Sequence, residues 1–90
     1  MRTDHLHIVF EILFAIEAQI DRATIDWSQF SATALNMSEP HWARIMQMMV
    51  DDGYITGYSF SHKGDIYRYD LQGLSITLKG LAYVRDYRIA

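Results

Sequence analysis

The stretch from Leu35 to Tyr58, LNMSEPHWARIMQMMVDDGYITGY, constrains the fold more than any other part of the chain. Trp42, Ile45, Met46, Met49 and Val50 fall at i, i+3, i+4, i+7 and i+8, the spacing of a helix with one buried face. Ser38 is placed to cap it, because a hydroxyl there accepts a first-turn amide that has no partner inside the helix. Pro40 sits where a missing N–H does little harm. Gly53 supplies the left-handed residue that releases the chain, and from Tyr54 onward aromatic and β-favouring residues dominate. The expectation is a helix over 38–52 running directly into a strand.

Upstream, Asn36 in the short connection Leu35-Asn36-Met37 accepts a left-handed turn more readily than most residues. Asp26-Trp27-Ser28-Gln29 reads as the start of a preceding helix, a capping box in which Asp26 caps and Gln29 reaches back to it. Trp27, Phe30 and Leu35 are then its anchors in the core. Two short helices joined by a tight turn and followed by a two-stranded ribbon make a winged helix-turn-helix, α+β in class.

Ninety residues, half of them hydrophobic, suit one domain over 1–90, near the size at which a chain just buries its own core. The chain has no cysteine, which excludes disulfides, thiol catalysis and thiolate zinc sites. Glu11 and Glu17 interrupt the first apolar segment well short of the roughly 20 residues that span a bilayer. The first residues, with Arg2, Asp4 and His5, lack a small-residue cleavage signature, so a cytoplasmic protein without membrane association is expected. The net charge of -3 and pI near 5.7 provide no global attraction to nucleic acid. Any DNA binding must then rest on a local basic patch or on dimerisation.

In chain order, Asp4 to about Gln19 is helical in pattern. Leu6, Val9, Phe10, Leu13, Ile16 and Ile20 lie on one face, Ile8 and Ile12 to one side of it and Phe14 to the other. So wide an apolar arc serves either a wrapped helix or a second contact surface, a homodimer interface above all. Asp21 to Ala23 reads as a turn and Thr24-Ile25 as a brief edge strand. Tyr54 to Phe60 and Ile66 to Leu71, separated by Ser61-His62-Lys63-Gly64-Asp65, form the expected wing hairpin. Its rings, Tyr58, Phe60, Tyr67 and Tyr69, serve either as cross-strand packing or as a stacking platform for single-stranded bases. After a connector containing Gly73, Thr77 caps a last helix in which Leu78, Leu81 and Ala82 face the core while Tyr83, Val84 and Tyr87 point elsewhere. Gly80 inside it marks a place where another backbone comes close.

Gly53-Tyr54-Ile55-Thr56-Gly57, together with Ile76-Thr77-Leu78-Lys79-Gly80-Leu81-Ala82-Tyr83-Val84, resembles the YjcQ-like family of small bacterial and phage proteins, over most of the chain. The resemblance implies a winged-helix fold and a phage or prophage setting, and it carries no activity with it.

The face of the central helix opposite its buried stripe carries His41, Arg44, Gln47, Met48 and Asp51. In a DNA-binding winged helix this face enters the major groove. Arg44 would reach guanine O6 and N7, Gln47 would pair with adenine, and His41 would touch a phosphate or base edge. The alternative is a solvated helix face. Glu39 suits the helix dipole but repels phosphates. Lys63 at the wing tip, Arg68 on its strand and Lys79 at the start of the last helix are candidate phosphate contacts, with His62 beside them. Each is also an ordinary surface residue.

Catalysis finds little footing. His5 and His7 lie on different helix faces, no glycine-rich phosphate loop or nucleophile elbow occurs, and neither a metal site nor a cofactor is expected. Two functions remain: a regulator binding double-stranded DNA as a homodimer held by its first and last helices, or a winged-helix module that binds another protein. If Arg44, Lys63, Arg68 and Lys79 converge on a face free of carboxylates, DNA gains; if Asp51, Asp65 and Asp70 interrupt that face, a protein partner gains.

Overall fold

A computed structural model describes residues 5–89. Arg2 and Asp4, invoked above at the start of the first helix, lie outside them. The architecture is an α+β winged helix: α1 (His5–Glu17), a 3₁₀ turn (Trp27–Phe30), α2 (Glu39–Asp51), four short strands and α3 (Leu78–Ile89). Among the described residues, no helix is long and apolar enough to cross a membrane.

The central helix forms as its sequence requires. Ser38 accepts the amide of His41, Pro40 occupies the first turn, and Gly53 leaves the helix with φ of +81°. Its inward stripe of Trp42, Ile45, Met46 and Met49 is buried against Ile12, Leu13 and Ile16 of α1, Phe30, Ile55 and Val84. Asn36 takes the left-handed turn, with φ of 55°.

The helix before that turn is shorter than expected, a single 3₁₀ turn. Asp26 does cap it, accepting from the backbone and hydroxyl of Ser28 at 3.1 and 2.6 Å, and these bonds hold its carboxyl below the usual range. The amide of Asp26 is not taken by Gln29. It donates to Gln19 Oε1 at 2.7 Å, while Gln19 Nε2 donates back to the Asp26 carbonyl at 3.0 Å. Gln19 is buried, and its amide replaces the backbone pairing expected of an edge strand, so Thr24-Ile25 joins neither sheet. Replacing Gln19 with leucine keeps the volume but orphans both groups. A loss of about 1–3 kcal/mol in chemical denaturation is expected; no loss would show the bonds to be idle.

The strands pair in two ladders. β1 (Ile55–Thr56) meets β4 (Ser75–Ile76) antiparallel, and β2 (Ser59–Lys63) meets β3 (Ile66–Asp70) antiparallel to make the wing. The wing is therefore two-stranded, and its first strand begins at Ser59 rather than Tyr54. The interruption lies at Gly57, which turns with φ of +81° directly against the Gly73 backbone. At the tip, Lys63 faces Ile66 across Gly64-Asp65, and Gly64 supplies the positive φ that a two-residue hairpin needs.

On α3, Thr77 caps by accepting the Gly80 amide, and its hydroxyl also meets the carbonyls of Gly53 and Tyr54. Gly80 lies against the Tyr54 carbonyl, the close backbone its sequence implied. The face assignments on this helix fail at two positions: Val84 is buried and Leu78 is 84% exposed, while Leu81, Ala82, Tyr83 and Tyr87 are all half-buried. The Thr77 bonds fix the helix phase, and that phase turns Gly80 and Val84 inward. On α1 the buried set is Ile12, Leu13 and Ile16, whereas Leu6 is 63% exposed, and Ile20, in the turn beyond the helix, is 56% exposed. Phe10 stacks on Tyr87 at 4.5 Å, so α3 covers only part of the apolar arc.

Candidate nucleic-acid interface

The outer face of α2 and one face of the wing enclose an open groove of about 430 Å³. Period-two alternation along the paired strands decides what enters it. Phe60 opposes Tyr69 and His62 opposes Tyr67 on the inner face of the ribbon; Ser61 opposes Arg68 and Lys63 opposes Ile66 on the outer one. The α2 side contributes Pro40, Ala43, Arg44, Gln47, Met48 and Asp51.

Of the six positions singled out from the sequence, the groove gathers two. Arg44 is exposed and, among the described residues, has no hydrogen-bond or ion-pair partner. Gln47, one turn on, donates to Asp51 Oδ1 at 3.0 Å. His41 is engaged elsewhere, its Nε2 atom 2.9 Å from His5 Nε2, one ring donating and the other accepting. Lys63 and Arg68 stand on the outer face of the wing, both exposed, beside a shallow depression that also includes Ile66. Lys79 is drawn away altogether: its ammonium donates to the Asp52 carbonyl at 2.6 Å and lies 5.1 Å from the Tyr54 ring centre, so it closes the end of α2. Across α2 and the wing, three cations stand against four carboxylates, Glu39, Asp51, Asp65 and Asp70. The sequence offered Phe60 and Tyr67 as a ring platform on the ribbon but did not place them opposite α2; that placement follows from the paired register, which narrows the expected Ser61–Asp65 loop to a turn at Gly64-Asp65.

Behind the groove, Tyr58 and Tyr69 bring their rings against Trp42, at 6.2 and 5.2 Å, and both hydroxyls are buried without a partner among the described residues. Burial pushes both phenols up. Tyr69 reaches about 12, with the Glu39 carboxylate adding to the effect, and Tyr58 goes higher still. The folded state thus keeps these protons to higher pH than the unfolded chain does. Their contribution is fully present below about pH 10 and is lost as pH rises from there through 12. Thermal unfolding followed from pH 8 to 11.5 is expected to show a falling midpoint, flattened in the Tyr58→Phe, Tyr69→Phe double variant. A parent profile as flat as the variant's would refute it.

Among the described residues, no three His, Asp or Glu side chains come together in a group able to hold a metal ion. Residues 10–87 match the YjcQ protein family. The chain belongs to that family. The match takes in the 3₁₀ turn, α2, the wing and most of α1 and α3, so the groove lies wholly within the YjcQ unit. Neither a curated protein nor a solved structure matches the chain.

Proposed function

We propose that this YjcQ chain is a binding protein rather than an enzyme, a winged-helix regulator that contacts double-stranded DNA with α2 as its reading helix. One observation carries the reading. Arg44 and Gln47 stand one turn apart on the outer face of a helix flanked by a wing, and Arg44 has no ion-pair partner among the described residues. The reading part of such a helix is its amino-terminal half, and Arg44 lies in that half. The exposed Lys63 and Arg68 side chains supply phosphate contacts from the wing. A homodimer through α1 and α3, where Leu6, Phe14 and Leu78 stay exposed, doubles these few cations and lets an acidic chain hold a polyanion. The resemblance noted above adds the phage or prophage setting.

A specific observation favours a second reading, a module for a protein partner. The cations do not converge, since Arg44 lies in the groove on α2 while Lys63 and Arg68 stand on the outer face of the wing; Lys79 is withdrawn, and Asp51 interrupts the groove. Met48, half exposed among Phe60 and Tyr67, is the kind of side chain that interfaces use. Titration of the ¹⁵N-labelled chain with a mixed-sequence duplex separates the two. DNA binding is expected to move the amides of residues 41–51 and 61–68 at low salt. Spectra that stay unchanged would overturn the DNA reading in favour of a protein partner.

A further inference from the structure

The groove has two unlike walls. On α2, Arg44, Gln47 and Asp51 follow one another at i, i+3 and i+7, a cation that only donates, an amide that does both, and a carboxylate that only accepts. On the wing, the rings of Phe60, His62 and Tyr67 are nearly parallel, with interplanar angles of 12–22° and centres 5.4–6.4 Å apart. One wall offers directional hydrogen bonds and the other a π surface whose outermost ring, His62, is exposed. The space between, about 430 Å³, falls in the range of small-molecule sites.

A planar heterocycle with a hydrogen-bonding edge satisfies both walls, stacking on the ring ladder while its edge meets α2. The order of groups on α2 selects among bases. A carboxylate is best matched by two adjacent N–H donors, and of the common bases guanine alone presents them on its pairing edge, at N1 and N2. Its O6 acceptor lies beside them and suits Arg44 or the Gln47 amide. Adenine and cytosine offer Asp51 one exocyclic amine, and uracil one ring N–H. Recognition of an unpaired base by stacking and by its pairing edge is the ordinary physics of base pockets.

We propose that this groove is a guanine-base site, with Asp51 its specificity-determining residue and the His62–Tyr67 pair its stacking floor. The guanine comes either from a free nucleotide or from an unpaired position in a single strand. It does not come from a duplex, where the pairing edge is closed. The proposal therefore stands whether or not the chain binds double-stranded DNA. It gives Asp51, which repels phosphates, a task in the groove. It also places guanine on the same face of α2 as duplex DNA, so that the two exclude one another wherever both bind.

The test is an NMR titration of the full chain with GMP, IMP and AMP, read at the amides of α2 and the wing. GMP is expected to bind about tenfold more tightly than AMP, a ratio that one net hydrogen bond supplies. IMP, which lacks the N2 amine, falls between them. Asp51→Asn is expected to bring the GMP to AMP ratio to about one, and Tyr67→Ala to weaken all three. Arg22→Ala, remote in sequence from the groove, leaves the ratio unchanged and controls for general damage. A five-nucleotide strand with one central guanine assigns the source: binding much tighter than GMP identifies a strand, and binding equal to GMP identifies the free nucleotide. Equal affinity for GMP and AMP, no saturable shift, or a preference that survives Asp51→Asn each overturns the proposal. None of these outcomes involves a duplex, so they are distinct from failure of the DNA reading.

Discussion

Replacing Trp42 with alanine is expected to lower the unfolding free energy by about 3–5 kcal/mol, close to the whole stability of a small domain at the low end of the usual range of about 5–15 kcal/mol. The indole is fully buried at the meeting point of α2, the 3₁₀ turn and the wing. Trp27, Tyr58 and Tyr69 surround it with ring centres 5.2–6.2 Å away, and its Nε1 donates to the Phe30 carbonyl at 2.8 Å. Two costs therefore combine, a cavity and a buried carbonyl left without a donor. Trp42→Phe separates them, since it retains much of the ring contact but not the bond, and about 1–3 kcal/mol is expected there. Guanidinium denaturation followed by far-UV circular dichroism reads both, independently of the lost indole fluorescence. A cost below about 1.5 kcal/mol for the alanine variant would contradict this packing.

The second large effect is expected at Gly57, where alanine should cost about 2–4 kcal/mol. The residue sits at φ of +81°, and a Cβ there would be driven into the carbonyl and carbon of Gly73. Both obstacles are backbone, so no rotamer change relieves them. The contact is the junction between the β1–β4 ladder and the wing, and forcing it open tilts the wing away from α2. Gly64→Ala is the natural comparison. It also has positive φ, of 60°, but open space around it at the wing tip, and about 1 kcal/mol is expected. If the two variants prove equally stable in thermal unfolding, the close approach of Gly57 to Gly73 is wrong.

The parts of this fold legible in the sequence are those set by local chemistry. Ser38, Pro40 and Gly53 bounded α2, Asn36 marked the turn, Thr77 capped α3, and Gly80 announced a close backbone; each acts within a few residues or demands one conformation. The parts that were not legible depend on partners distant in the chain. Gln19 looks like an ordinary polar residue at the end of an amphipathic helix, yet it takes over the Asp26 backbone and removes an edge strand. Leu78 and Val84 could not be sorted by periodicity, because the tie from Thr77 to Gly53 and Tyr54 sets the phase of α3. Trp27, expected as a core anchor, is 39% exposed because the turn that carries it is too short to bury a whole ring. The candidate site follows the same division. The outer face of α2 was readable from helical spacing, whereas the split of Lys63 and Arg68 from the groove required the strand register. The withdrawal of Lys79 required knowing where α2 ends in space.

The most direct test of DNA binding through α2 and the wing is fluorescence anisotropy with a random duplex across a salt series, using the parent chain and an Arg44→Ala, Lys63→Ala double variant. Affinity is expected to fall steeply with salt. The logarithmic slope should be shallower in the double variant by about 1, the share of the lost Lys63 phosphate contact, while loss of the Arg44 base contact weakens binding at every salt concentration. Absence of binding even at low salt, or a slope identical in the two proteins, would contradict the account and leave the α2–wing face to another ligand.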